Sequence, residues 1–200
     1  MKTMLILTDF SENAFRAAEY ASSIAETLQI DRIILYSAFQ SLIVGTDLPN
    51  SYIKNSEEIY LETMENLALL QDRVKTMTGG KIKLEIIAEE AVLPGNINQF
   101  MKTESVNLLV MGVSGKAGIE KLLLGSTTSK MIEDSDVPLL IVPKETPIGQ
   151  PFNSIVFTTD LKDATVIPVH QLYSVLDAFP VQVRVVNVES MAKDRHFDVN

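Results

Sequence analysis

Val106-Asn-Leu-Leu-Val-Met-Gly-Val-Ser-Gly115, then Lys116 to Leu124, then Gly125-Ser-Thr-Thr-Ser-Lys-Met-Ile-Glu133, is the stretch that decides how the chain is read. Val106 to Met111 is a short apolar run ending at Gly112, which reads as a strand buried on both faces. Gly112, Gly115 and Gly125 stand at fixed offsets, with Ser126, Thr127 and Thr128 directly after the last. Glycine permits positive φ and close approach of a ligand to the main chain. Ser126 and Thr128 fall where a helix would begin, and free N–H groups at a helix start, helped by its dipole, attract anions. Strand, glycine loop and hydroxyl-rich helix start make up a phosphate cradle.

Working back toward the N-terminus, residues 3–8 form a branched apolar run closed by Asp9 and read as a central strand. From Ser11 to Leu28, Ala14, Ala17, Ala18, Ala21, Ile24, Ala25 and Leu28 recur at helical spacing. Arg32 to Ala38 is a second strand, and Ile59, Leu67, Leu70, Val74 and Met77 mark a long helix stopped by Gly79 and Gly80. Ile82 to Ile87 mixes charge with apolar residues and belongs near a sheet edge. Pro94 is expected to open a short helix through Met101, and a helix is expected from Ser126 to near Asp134. Val137 to Val142, bracketed by prolines, is expected at the other edge.

Strands alternating with helices imply right-handed crossovers and a doubly wound five-stranded parallel sheet. In such α/β sheets ligands bind beyond the carboxyl ends of the strands, where the strand order reverses. With the order 3-2-1-4-5, Asp9 after the first strand and Gly112 after the fourth would face one crevice.

After residues 147–152, a linker by composition, the pattern restarts. Ile155-Val-Phe-Thr-Thr-Asp160 parallels Met4-Leu-Ile-Leu-Thr-Asp9, and a helix over 164–179 and a strand over 181–188 would repeat the first helix and second strand. The expected organisation is a complete domain over 1–146 and an incomplete second repeat, βαβ, over 153–200. A second glycine loop would fall near position 263, beyond Asn200, so the sequence reads as cut short in its second repeat.

Composition narrows the function. Of 200 residues, 46% are hydrophobic and 22% charged, enough for a real core. The net charge of −9 argues against a nucleic-acid footprint, which wants a basic face. There are no cysteines and only two histidines, His170 and His196, so thiol catalysis, disulfides and a histidine-rich metal centre are excluded. No apolar run approaches the roughly 18 residues of a membrane span, and no signal peptide is evident, so a soluble cytoplasmic protein is expected.

Leu7-Thr-Asp-Phe-Ser-Glu-Asn-Ala14, together with the spacing Gly112, two residues, Gly115, nine residues, Gly125-Ser126, resembles the universal stress protein family over residues 1–144. Both signatures together are fairly specific, and the restart after 151 resembles the family's tandem form. The resemblance implies an adenine nucleotide alpha hydrolase-like fold that binds ATP or AMP, with Mg²⁺ accompanying ATP. It implies that Thr8, Asp9 and the main chain at Ser37 address the adenine and ribose side. Met111 and Gly112 would line the nucleotide, and Gly115, Gly125, Ser126, Thr127 and Thr128 would hold the phosphates. It also implies a homodimer, or pairing with another such domain, through the edge strand 137–142. Leu7 departs from nucleotide-binding relatives, which can carry proline there.

Plainer readings compete with these. Asp9-Phe-Ser-Glu12 also reads as a helix N-cap with a glutamate three residues on, as does Ser11 alone. Ser126 and Thr128 could be caps and the glycines turn residues, but the joint spacing favours phosphate. Lys116 reads as a solvated loop lysine, and the eight methionines as core filler. There is no Gly-x4-Gly-Lys-Ser/Thr loop, no Gly-x-Gly-x-x-Gly fingerprint and no evident general base or arginine finger. Nucleotide binding in a regulatory or stress role, with little or no catalysis, is therefore expected. A nucleotide-independent interaction module and a slow ATPase are the alternatives.

Overall fold

In a computed structural model, residues 1–41, 55–95, 97–113, 126–149, 152–159, 178–179 and 181–187 are described. The chain divides into two compact units, Met1–Gln150 and Pro151–Asn200. The first carries β1 (Thr3–Leu7), α1 (Glu12–Ala25), β2 (Arg32–Phe39), α2 (Ser56–Met77), β3 (Lys83–Glu90), α3 (Ile97–Thr103), β4 (Val106–Val113), α4 (Ser126–Asp134) and β5 (Leu139–Pro143). The sheet order is β3-β2-β1-β4-β5 and every pairing is parallel. β1 is buried at all five positions, as its unbroken apolar run requires. β3 takes one edge, where Lys83, Glu85 and Glu89 discourage further pairing. β5, ending at Pro143, takes the other.

Strand alternation divides the core into two layers. On one face Leu5, Leu7, Ile34, Tyr36, Leu109 and Met111 pack with Ile97 and Met101 of α3 and Met131 of α4. The opposite face carries Met4, Ile6, Ile33 and Leu35, all fully buried, on the side that takes α1 and α2. The alanines at 14, 17, 18, 21 and 25 of α1 are buried, leaving no long side chain to hold the helix off the sheet.

The closest contact of this kind involves Gly112. The strand continues through it to Val113, pairing Gly112 with Val142, so the expected end of the strand at Met111 is corrected by two residues. Its φ is not positive. A Cβ there would run into the Asn13 carbonyl and stand 2.9 Å from the Ala14 nitrogen. What comes close to the Gly112 main chain is therefore the first turn of α1.

Other boundaries move for local reasons. α1 ends at Ala25, and the chain turns through Gln29 at φ 56°, with the Ile30 N–H donating to the Ala25 carbonyl at 2.9 Å. α3 begins at Ile97 rather than Pro94, whose carbonyl closes a turn onto the Ile97 N–H at 2.9 Å. α2 starts with a reciprocal cap between Asn55 and Glu58 and stops before Gly79 and Gly80, both at positive φ.

The amino end of the sheet is tied by charge. Arg32 donates to Glu85 on the neighbouring strand and, at 2.7 Å, to Glu104 between α3 and β4. Hydrogen bonds from Arg32 and then from Lys83 hold the Glu85 carboxyl at about 2. In the second unit, β6 (Ser154–Thr159) and β7 (Gln182–Asn187) pair in parallel, and Phe152 packs on Phe179 with ring centroids 4.2 Å apart. Most of the helix expected over 164–179 lies outside the described residues.

Two stability measurements follow from these contacts. Gly112→Ala should destabilise the first unit by about 2 kcal/mol in urea unfolding, the typical cost of forcing an extra methyl into a packed site; an unchanged midpoint would contradict the contact. Glu85 has its folded pKa depressed from 4.5 to about 2, so its contribution is complete above 4.5 and disappears as pH falls toward 2. The urea midpoint should therefore drop across that window, and Glu85→Gln should both flatten the drop and lower stability at pH 7.

Candidate functional site

The carboxyl ends of β1 and β4 open into a cleft of about 570 Å³, the size range of small-molecule sites. It lies where the strand order reverses, since β2 flanks β1 on one side and β4 on the other. Thr8, Asp9, Ser11 and Asn13 line it from the β1–α1 connection, and Met111, Gly112 and Val113 from β4. Thr127, Thr128 and Lys130 reach it from α4. Ala38 and Gln40 at the end of β2, and Ala91 to Leu93 after β3, complete the wall.

The β1–α1 connection is held by three successive side-chain acceptors. The Phe10 N–H donates to Thr8 Oγ1 at 3.0 Å, the Ser11 N–H to Asp9 Oδ1 at 3.0 Å, and the Ala14 N–H to Ser11 Oγ at 3.3 Å. Between them Phe10 takes φ 61°, a left-handed conformation costly for a side chain with a Cβ. Ser11, not Asp9, is thus the N-cap of α1. Glu12 closes no capping box with Asp9; it takes the Lys144 ammonium, which holds its carboxyl below the usual range. Asp9 is left exposed at the cleft, with Oδ1 on the Ser11 amide.

The helices contribute differently. Residues of the first turn of α1 and of the first turn of α4 both line the cleft. Thr128 is buried and Thr127 exposed; as second and third residues of α4 they lie within its first turn and do not cap it. On the β3 side, Glu90 accepts hydrogen bonds from Ser41 and, at 2.8 Å, from Ser56 Oγ, which lowers its pKa. That carboxylate fastens the end of β2 and the start of α2 to the cleft rim.

Of the residues singled out in the sequence, Thr8, Asp9, Met111, Gly112, Thr127 and Thr128 come together around one cleft. Ser126 is the first residue of α4. Gly115 and Gly125 lie outside the described residues. Ser37 does not line the cleft: it is buried within β2, paired with Ala88, and Ala38 and Gln40 reach the wall instead. Sequence reasoning missed Asn13 and Lys130. Asn13 could have been found from its place in the first helical turn after Asp9, and Lys130 from its spacing of three after Thr127, which puts both on one helix face. Among the described residues no cluster of three or more metal-ligating side chains occurs, and no helix is long and apolar enough to cross a membrane.

Comparison with known proteins agrees with this architecture. The model of the universal stress protein family matches residues 1–143. A universal stress protein of Methanocaldococcus jannaschii is 33% identical over 146 residues, covering 72% of this chain and 82% of that protein. The crystal structure of a universal stress protein from Archaeoglobus fulgidus aligns with a TM-score of 0.68 at 20% identity, over 96% of this chain and 68% of that one. A universal stress protein crystallised in complex with cAMP aligns with a TM-score of 0.53 at 22% identity, over 72% of this chain and 98% of its own. With its first 143 residues matching the family model and its sheet in the order 3-2-1-4-5, this chain belongs to the universal stress protein family.

Proposed function

We propose that the first unit binds an adenine nucleotide, ATP or AMP, in the cleft between β1 and β4, in a regulatory or stress-response role with little or no turnover. The observation that carries this reading is the convergence of Asp9, Met111, Gly112, Thr127 and Thr128 on one cleft at the strand-order reversal. The apolar wall from Ala91, Val92 and Leu93 suits a purine, and Asp9, with only Oδ1 engaged, can accept from ribose or base donors. Thr127, Thr128 and the α4 start suit phosphate, with Ser126, Gly125 and Gly115 assigned there by motif. That a relative of this fold is crystallised with cAMP supports the ligand class. Any Mg²⁺ would be held largely by phosphate oxygens, since among the described residues Asp9 is the one carboxylate lining the cleft.

A second element of the proposal concerns association. β5 is an open sheet edge whose Leu139, Leu140 and Ile141 remain partly exposed, which favours pairing with another copy or another such domain. We infer that residues 153–200 begin a second repeat of the same pattern. The parallel β6–β7 pair, which follows the pattern of β1 and β2, supports that assignment.

Calorimetric titration with ATP and AMP in the presence of Mg²⁺ should show micromolar binding to the full chain. Gly115→Val, which puts a branched side chain where the motif requires close phosphate approach, should abolish it. Absence of heat with the parent protein would leave pairing through β5 as the function to pursue.

A further inference from the structure

We propose that Lys130 is the residue through which the cleft reads the negative charge of its ligand, an inference that rests on the nucleotide site proposed above. Among the described residues lining the cleft, Lys130 is the one lysine or arginine and Asp9 the one carboxylate. It is the fifth of nine helical residues, at the middle of α4, where the helix dipole gives a cation no particular support. Glu133 and Asp134 follow by three and four residues, the spacing at which a helical lysine ordinarily finds a carboxylate. Yet among the described residues the Lys130 side chain makes no ion pair or hydrogen bond; the Lys75 and Lys102 side chains are likewise unpaired, but of the three Lys130 alone lines the cleft.

The arrangement makes sense once an anion occupies the cleft. Thr127 and Lys130, three residues apart, share the helix face that lines it, so an ammonium lies on the same face as a hydroxyl of the first turn. The whole chain carries a net charge of −9, whose field works against an approaching anion. A local cation offsets that field, and Asp9 disfavours a phosphate lying on the β1 side. The two charges together give the cleft a direction: base and sugar toward Asp9, phosphate toward Lys130. A single flexible ammonium gains more from each added phosphate charge, so discrimination should follow ligand charge rather than the identity of the base.

The test is a titration of the full chain and of Lys130→Ala, Lys130→Arg and Lys130→Glu with adenosine, AMP and ATP at low and moderate salt. Lys130 is exposed, and its replacements should leave the thermal midpoint unchanged. Lys130→Ala should weaken ATP by about five- to tenfold at low salt, AMP by less and adenosine not at all. Lys130→Arg should restore binding, Lys130→Glu should weaken ATP further, and the loss should shrink as salt rises. If the parent binds ATP but Lys130→Ala binds it equally well, or loses adenosine and ATP alike, the inference about Lys130 falls while the nucleotide site stands. If the parent binds no adenine nucleotide, both fall.

Discussion

The fit of the first turn of α1 against the main chain at Gly112 is the constraint on which this structure depends. A strand that follows β1 through a helix and returns on the far side of the sheet leaves a crevice between β1 and β4. How wide that crevice is depends on how near α1 can come. Gly112 offers no Cβ, so the Asn13 carbonyl and the Ala14 nitrogen settle directly over β4. The buried alanines along α1 let the rest of the helix follow. Residues from the starts of both α1 and α4 line the same cleft. One missing methylene group thus connects packing to the proposed chemistry.

The two ends of the sheet are built on different principles. At the amino end Arg32 gathers Glu85 and Glu104, and Asn107 accepts from the Thr3 N–H at 2.8 Å, locking β1, β2, β3 and β4 in register. Midway, Tyr36 is buried against Phe100 at 5.1 Å and donates to Glu89 at 2.6 Å; burial first, and that carboxylate second, push its pKa well up. At the carboxyl end, local and long-range bonds combine. Thr8, Asp9 and Ser11 each accept from an amide two or three residues along the chain, with Phe10 held at positive φ, while Glu90 joins Ser41 to Ser56 and Lys144 reaches Glu12.

Much of this was legible in the sequence because the deciding signals are one-dimensional. Mostly apolar runs at 3–8, 32–38 and 106–111, with no alternation of polar residues, mark central strands covered on both faces. Charge in 83–90 and proline at 138 and 143 mark edges. The glycine and hydroxyl spacing, with Thr8-Asp9, pointed to residues that do converge on one cleft. What escaped depends on three-dimensional approach. Gly112 lies within the strand, because its small size serves a helix some hundred residues earlier in the chain. Ala38 and Gln40, next to Ser37 along the chain, are the residues of this segment that line the wall. Ser11 took the cap from Asp9 because the chain turns at Phe10 first. Lys130 drew no notice in a helix whose other residues are ordinary; only the cleft gives it meaning.

The account is tested most directly by mapping amide chemical shifts of the isotopically labelled protein as AMP is added. Shifts concentrated at Thr8 to Ala14, Met111 to Val113 and Thr127 to Lys130, with Arg32 and Glu85 at the far end of the sheet unmoved, are the result expected of a nucleotide in the β1–β4 cleft. No shifts, or shifts centred on the outer face of α2 around Leu61 and Leu69, would contradict it.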